Sequence, residues 1–209
     1  MLAIVDYGMG NLGSIHNMLA RIGVDSVITS DRAQIEAADK LILPGVGAFD
    51  RAMESLNRLD IVPLLNDKVL TRKTPILGIC LGMQLLSNRS EEGTLPGLGW
   101  IDAETVRFPA SINGTRLTVP HMGWNTISVT DTGASTILGS LGELDTEPRF
   151  YFVHSYHVRC RHDSDVAATS THGVTFHAAV SRGNIVGTQF HPEKSHKYGM
   201  TLLRAFAAG

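Results

Sequence analysis

The sequence predicts an α/β protein, a three-layer domain in which a mostly parallel sheet is flanked by helices. Over roughly the first ninety residues, short apolar runs alternate with segments of helical periodicity. Alternation of this kind implies right-handed crossovers and a parallel sheet covered on both faces. From Leu98 onward the pattern becomes strand-rich. A chain of 209 residues has room for one ordinary domain with a real core, and no linker or internal repeat divides it, so 1–209 is read as a single domain.

Along the chain, Leu2 to Val5 reads as a buried strand. Leu12 to Ile22 reads as a helix with Leu12, Ile15, Leu19 and Ile22 on one face. Val24 to Ile28 is the next strand, and Ser30 or Asp31 can cap a short helix reaching about Ala38. Lys40 to Leu43 is a third strand, ending at Pro44-Gly45-Val46-Gly47, and helical patterns follow over Ala48 to Leu59 and Ile61 to Leu70. Pro75 to Ile79 is a fourth strand that runs directly into Cys80. Further strands are expected at Ile101 to Phe108, Arg116 to Val119, Asn125 to Val129, Phe150 to Val158, Val166 to Thr171, Thr175 to Ser181 and Ile185 to Phe190. A helix from about Ser195 to Ala207 closes the chain.

Composition narrows the class of function. Hydrophobic residues make up 43% and charged residues 18%, which is ordinary globular composition and argues against intrinsic disorder. The formal net charge of -2 offers no basic excess for nucleic acid or an anionic membrane surface. Two cysteines without CxxC spacing argue against a disulfide framework or a structural zinc site and point to a reducing, cytoplasmic compartment. The opening MLAIVDYG lacks the charged region and cleavage site of a signal peptide, and no apolar run approaches the roughly 18 residues of a membrane span.

Gly78-Ile79-Cys80-Leu81-Gly82 fits the G-x-nucleophile-x-G pattern, at the strand-to-helix junction where that pattern belongs. A nucleophile on so sharp a turn needs close backbone approach on both sides, and a Cβ at either flanking position would clash. A helix starting at Gly82 would set the sulfur beside free N–H groups, where reactive thiolates are found. The same pentapeptide also suits a buried structural cysteine with glycines for packing. Cys160, in Arg159-Cys160-Arg161-His162, has no such turn and reads as incidental.

His191-Pro192-Glu193 lies at another strand end. A thiol nucleophile needs a base, and the base needs a group that fixes its ring. Proline between the two keeps the segment extended or turned, so the carboxylate can reach back to the imidazole. In parallel sheets reactive groups gather at the carboxyl ends of strands. Cys80 and His191 both occupy such ends, and the pairing favours catalysis over packing.

Pro44-Gly45-Val46-Gly47, Gly78-Ile79-Cys80-Leu81-Gly82-Met83-Gln84 and Gln189-Phe190-His191-Pro192-Glu193 together resemble the three signatures of class I, triad-type glutamine amidotransferases. The resemblance covers essentially the whole chain and implies their flavodoxin-like, three-layer fold. Asp6-Tyr7-Gly8-Met9-Gly10-Asn11-Leu12, Pro120-His121-Met122-Gly123-Trp124-Asn125 and His191-Pro192-Glu193-Lys194-Ser195 further resemble the glutaminase subunits of imidazole glycerol phosphate synthases.

The resemblance implies that Cys80 attacks the side-chain amide of glutamine, that His191 moves the proton, and that Glu193 holds the ring. It implies oxyanion donors at Leu81 and in the Gly45-Val46-Gly47 loop, and a glutamine pocket lined by Gln84, Glu92, Ser155 and Tyr156. Ser155 stands where the family often has threonine. It implies no cofactor. The ammonia would pass to a separate, barrel-shaped cyclase subunit of imidazole glycerol phosphate synthase, forming a heterodimer in histidine biosynthesis. Asn11, Trp124, Tyr151 and Lys194 match family positions at or near that interface. Val46 stands where many amidotransferases of the class have glycine. A β-branched residue resists conformations that glycine visits freely, so the loop is expected to rest inactive until the partner engages.

Other readings share some of these residues. They include another class I amidotransferase subunit, a cysteine hydrolase of the same fold and a catalytically dead binding subunit. Gly8-Met9-Gly10-Asn11-Leu12-Gly13 also fits the dinucleotide pattern G-x-G-x-x-G, a motif that equally serves any tight strand-to-helix turn. His154 and His157 invite a metal reading, but positions three apart in one strand face opposite sides of a sheet. No HExxH or carboxylate set accompanies them, and no metal is expected.

Overall fold

Eight strands form the central sheet in the computed structural model, which describes residues 1–209. They are β1 (Leu2–Val5), β2 (Ser26–Thr29), β3 (Lys40–Gly45), β4 (Ile76–Cys80), β5 (Ser128–Val129), β6 (Val166–His172), β7 (Val174–Arg182) and β8 (Ile185–Thr188). Their spatial order is β5-β6-β7-β8-β4-β3-β1-β2. From β8 to β2 every pairing is parallel. From β5 to β8 every pairing is antiparallel, so the sheet is mixed. The connections explain the change: Gly173 alone joins β6 to β7, and Gly183-Asn184 joins β7 to β8. Parallel neighbours need a crossover of a dozen or more residues, and these turns allow only hairpins.

The helices are α1 (Leu12–Arg21), α2 (Arg32–Ala37), α3 (Phe49–Arg58), α4 (Val62–Asn66, continuing as a π turn over Asp67–Thr71), α5 (Leu81–Leu85), α6 (Asp131–Ala134) and α7 (His196–Ala208). Asp31 rather than Ser30 caps α2, accepting the Gln34 N–H at 2.9 Å. All four residues of β1 are buried and they alternate between two cores. Ala3 and Val5 face Ile35, Phe49, Leu56 and Leu65 from α2, α3 and α4. Leu2 and Ile4 face Ile15 and Leu19 of α1 and Leu202, Leu203 and Phe206 of α7. The two apolar faces of one sheet give the three layers.

Beside the sheet stands an antiparallel ribbon of His121–Thr126 and Arg149–His154. Phe150 to Val158, expected as one strand, is broken at Ser155. Before the break the chain pairs with His121–Thr126, and after it Tyr156–Cys160 pairs with Ala103–Arg107. The strand expected at Arg116 to Val119 shrinks to one arm of a hairpin, Ser111–Ile112 with Thr115–Arg116. Its turn is Asn113-Gly114, both at positive φ, as a two-residue hairpin loop requires. The strand expected at Asn125 to Val129 starts earlier, at His121, and is interrupted at Ile127, whose N–H bonds to Pro148.

The layers meet most closely around Cys80. A Cβ on Gly82 would stand 1.8 Å from the Leu43 carbonyl oxygen of β3, and one on Gly78 would stand 2.8 Å from the Gly82 carbonyl. Backbone, not flexible side chain, blocks both positions. Gly82→Ala should therefore destabilise the fold by about 2–3 kcal/mol and lower the melting temperature by roughly 5–10 °C. A thermal unfolding midpoint within a degree or two of the parent's would contradict this packing.

Candidate active site

Cys80 ends β4 with φ 55° and ψ −110°. Positive φ is costly for a residue with a Cβ and persists only where the surroundings enforce it. Gly78 and Gly82 supply that enforcement, and α5 begins at once with Leu81. The sulfur lies within sulfur hydrogen-bonding range of two groups, donating to the Val153 carbonyl at 3.9 Å and accepting from the Gln189 side-chain amide at 3.8 Å.

His191 follows β8 and is fixed from several sides. Its N–H bonds to the Tyr151 carbonyl at 2.9 Å, and its carbonyl accepts the Ser195 hydroxyl at 2.6 Å. Pro192 opens a single 3-10 turn over Pro192–Lys194, where a missing N–H costs nothing. That turn folds Glu193 back, so its Oε1 lies 2.8 Å from His191 Nδ1. Both residues are buried. Nε2, the remaining ring nitrogen, and Glu193 Oε2 have no hydrogen-bond partner. Burial alone would depress the His191 pKa, but the neighbouring Cys80 sulfur and then the Glu193 carboxylate outweigh it and raise it to about 10. The ring is thereby held as an imidazolium beside the sulfur.

Cys80 and His191 share a cleft of about 350 Å³ with Val46, Gly47, Leu81, Gln84, Glu92, Ser155 and Tyr156. Gly45 sits behind its wall, paired with Cys80 across β3 and β4. The Gln84 amide donates to the Tyr156 carbonyl and to Gln189 Oε1, both at 3.1 Å. Glu92 Oε2 accepts the Phe49 N–H at 2.9 Å, at the start of α3. In the loop after β3, Gly47 takes positive φ (106°) and Val46 does not, with Val46 43% exposed at the mouth of the cleft. Beneath that loop the buried Tyr7 hydroxyl donates to the Pro44 carbonyl at 2.6 Å. Burial, then the Cys80 sulfur, push the Tyr7 pKa up. Pro120, Val153 and His154 complete the lining. Tyr7, Pro120, Gln189 and Ser195 fall inside the family-like motifs, yet no local pattern marks them as lining or supporting the site.

Three of the four residues expected at a partner surface cluster. Trp124 is 42% exposed and is the cross-strand neighbour of Tyr151, with the rings 6.4 Å apart, edge to face. Lys194 Nζ lies 5.6 Å from the Tyr151 ring centre. His196 stacks on Trp124 with ring centres 5.5 Å apart and planes 2° apart, and Met122, at 63% exposure, extends the apolar surface. Asn11 is the N-cap of α1.

The opposed orientation expected for His154 and His157 does not occur. The break at Ser155 turns the chain, and both rings lie against Phe108, at 5.2 and 4.7 Å. Burial pushes His154 down to about 3 and His121 and His157 to about 4, which keeps all three neutral. The glycines of the Gly8–Gly13 motif make a tight turn, with Gly8 at φ 82° and Gly10 at φ 121°, the latter packed on Pro44.

The raised His191 pKa has a sign that can be tested. A free imidazole titrates near about 6.5. The charged ring's contribution to stability is therefore full below about pH 6.5 and is lost as pH rises through about 10. Glu193→Gln removes one cause of the shift. It should cost about 1–2 kcal/mol near pH 6, roughly 3–6 °C in melting temperature. That deficit should shrink toward pH 10. A deficit that stays constant across the range, measured by thermal unfolding of both proteins, would count against the pairing.

With this geometry in hand, comparison with known proteins places the chain. Residues 3–208 match the family described as "Glutamine amidotransferase class-I". The protein is 52% identical over 207 residues to imidazole glycerol phosphate synthase subunit HisH 2 of Methanococcus maripaludis, spanning 99% of this chain and 98% of that one. It is 44% identical over 209 residues to subunit HisH of Leptospira interrogans, spanning 100% of both. Among solved structures, a glutamine amidotransferase superposes with TM-score 0.72 at 18% identity, over 99% of each chain. PurLQS from Thermotoga maritima superposes with TM-score 0.69 at 18% identity, over 99% of this chain and 97% of that one. The structural likenesses speak to the fold and the sequence likenesses to the family: the chain belongs to the class I glutamine amidotransferases and, within them, to the HisH family of imidazole glycerol phosphate synthase subunits.

Proposed function

We propose that this chain is the glutaminase subunit of an imidazole glycerol phosphate synthase, working as a single 1–209 domain in the cytoplasm and in heterodimer with a cyclase. The observation that carries the reading is the buried His191–Glu193 pair set against a cysteine held at positive φ, on one cleft. Cys80 attacks the side-chain carbonyl carbon of glutamine as a thiolate. Because the His191 pKa is raised to about 10, the ring already holds the proton that the departing nitrogen needs. The tetrahedral intermediate collapses to a glutamyl thioester as His191 delivers that proton and ammonia leaves. Water, deprotonated by the now neutral ring, releases glutamate.

The Leu81 N–H and a donor from the Gly45-Val46-Gly47 loop stabilise the oxyanion, each worth roughly 10²–10³ in rate. Gln84, Glu92, Ser155 and Tyr156 receive glutamine, with Glu92 suited to its ammonium. Asn11, Trp124, Tyr151 and Lys194 meet the cyclase, which consumes the ammonia in making imidazole glycerol phosphate and an aminoimidazole carboxamide ribotide. No cofactor is required, since attack, proton transfer and hydrolysis are all within reach of side chains and water.

The complex with a cyclase partner provides the test. Cys80→Ala should abolish the glutamine-driven reaction while free ammonium still supports cyclisation. Residual glutaminase activity in that variant would remove Cys80 from the mechanism. The β-branched Val46 adds a second expectation. Glutamate release by the isolated chain should be slow and should rise at least tenfold when the partner and its substrate are bound, since one oxyanion donor is worth about that or more. Equal turnover in the two states would refute a resting, inactive loop.

A further inference from the structure

Gln189 is wholly buried, between β8 and His191, yet ends in a polar amide. Burying an amide is costly unless its hydrogen bonds are made. Its two ends are placed differently: Oε1 lies 3.1 Å from Gln84 Nε2, and Nε2 lies 3.8 Å from the Cys80 sulfur.

The assignment of nitrogen and oxygen follows from the chain of contacts. A backbone carbonyl can only accept, so the Gln84 atom 3.1 Å from the Tyr156 carbonyl must be its NH₂. That same nitrogen also meets the Gln189 side chain, so the Gln189 atom there must be the oxygen. The atom left facing the sulfur is then the NH₂ of Gln189. The Tyr156 carbonyl that anchors the series is itself held by His154 Nδ1 at 2.8 Å.

We infer that Gln189 is a further catalytic residue, whose side-chain amide donates to the Cys80 sulfur in an orientation locked by Gln84 and the Tyr156 carbonyl. A donor fixed on the sulfur favours the thiolate over the thiol and aims it across the cleft. This deepens the proposed glutaminase reading and rests on Cys80 being its nucleophile. Were Gln189 only a space-filling side chain, an apolar residue of like size would serve as well and need no such orientation.

Other groups also bear on the sulfur, among them the Val153 carbonyl at 3.9 Å, to which the thiol donates. His191, backed by Glu193, approaches from the end of β8, and Tyr7 lies beneath the loop after β3. His154 and Glu92 also line the cleft. All of them remain in Gln189 variants, so a change in thiol behaviour reports on the amide.

The measurement is iodoacetamide alkylation of the isolated full chain across pH, scored at the Cys80 peptide by mass spectrometry so that Cys160 does not interfere. Gln189→Leu removes the donor. Its alkylation midpoint should move to higher pH, with the rate at neutral pH lower by about ten- to a hundredfold, the range of a hydrogen bond to a charged group. Gln189→Glu, nearly the same shape, replaces the donor with a carboxylate and should move the midpoint upward as well. A folded variant of either kind that alkylates with the parent's pH profile overturns the inference.

The parent protein supplies a measurement that survives if both variants fail to fold. The side-chain ¹⁵N–¹H₂ resonances of Gln189 should shift as the Cys80 thiol titrates and stay unmoved in Cys80→Ser. Resonances that ignore the titration overturn the inference. None of these readouts needs glutamine or a partner, so they fail separately from the glutaminase reading, which Cys80→Ala tests.

Discussion

The backbone of Cys80, held at φ 55°, is the constraint from which the rest of the site follows. A side-chain-bearing residue adopts that conformation only under compulsion. Here the compulsion is steric and comes from the fold itself. The register of β3 against β4 sets Gly45 opposite Cys80 and brings the Leu43 carbonyl onto Gly82. The sharp turn leaves the sulfur at the carboxyl end of the parallel half of the sheet, where β8, the other parallel neighbour of β4, delivers His191. Cys80 and His191 are thus adjacent because their strands are adjacent. Sequence separation between positions 80 and 191 costs the site nothing once the sheet has formed.

Electrostatics then does what sterics cannot. His191 is buried, and burial by itself would strip its proton. Glu193, folded back by the turn at Pro192, and the sulfur on the other side reverse that outcome. The neighbouring histidines supply an internal contrast. His121, His154 and His157 are also sheltered but lack an adjacent anion at hydrogen-bond distance, and they are pushed down to about 4, 3 and 4. The same residue type in the same protein therefore serves as a cation in one place and as neutral packing in another, with the partner deciding which.

The parts of this arrangement that were legible in the sequence are those carried by contiguous residues. The elbow needs glycine on both sides of the cysteine, and Gly78 and Gly82 announce it. His191-Pro192-Glu193 holds imidazole, turn and carboxylate within three positions. The strands of the parallel half, each a short apolar run, fell within a few residues of where the pattern put them. What was not legible depends on partners distant in sequence. Tyr7 matters because β1 brings its hydroxyl to Pro44, and Gln189 because β8 lies beside β4. Apolar periodicity records burial but not the neighbouring strand. For that reason the run from Phe150 to Val158 looked like one strand although its halves belong to different sheets. Its break at Ser155 also undid the argument that His154 and His157 must face apart.

That broken strand also joins the cleft to the proposed partner surface. Along Arg149–His154, the carbonyls of alternate residues point to the same edge. Tyr151 and Val153 turn theirs toward His191 and Cys80, the first accepting the His191 N–H and the second receiving the Cys80 sulfur. On its other edge the strand pairs with His121–Thr126, and the Tyr151 side chain meets Trp124 and Lys194 at the surface. Ser195 closes the loop, donating to the His191 carbonyl and accepting the Tyr151 N–H at 3.0 Å. Tyr151 therefore has its side chain in the exposed aromatic cluster and its backbone on His191. The exposed cluster and His191 are thus tied through a single residue.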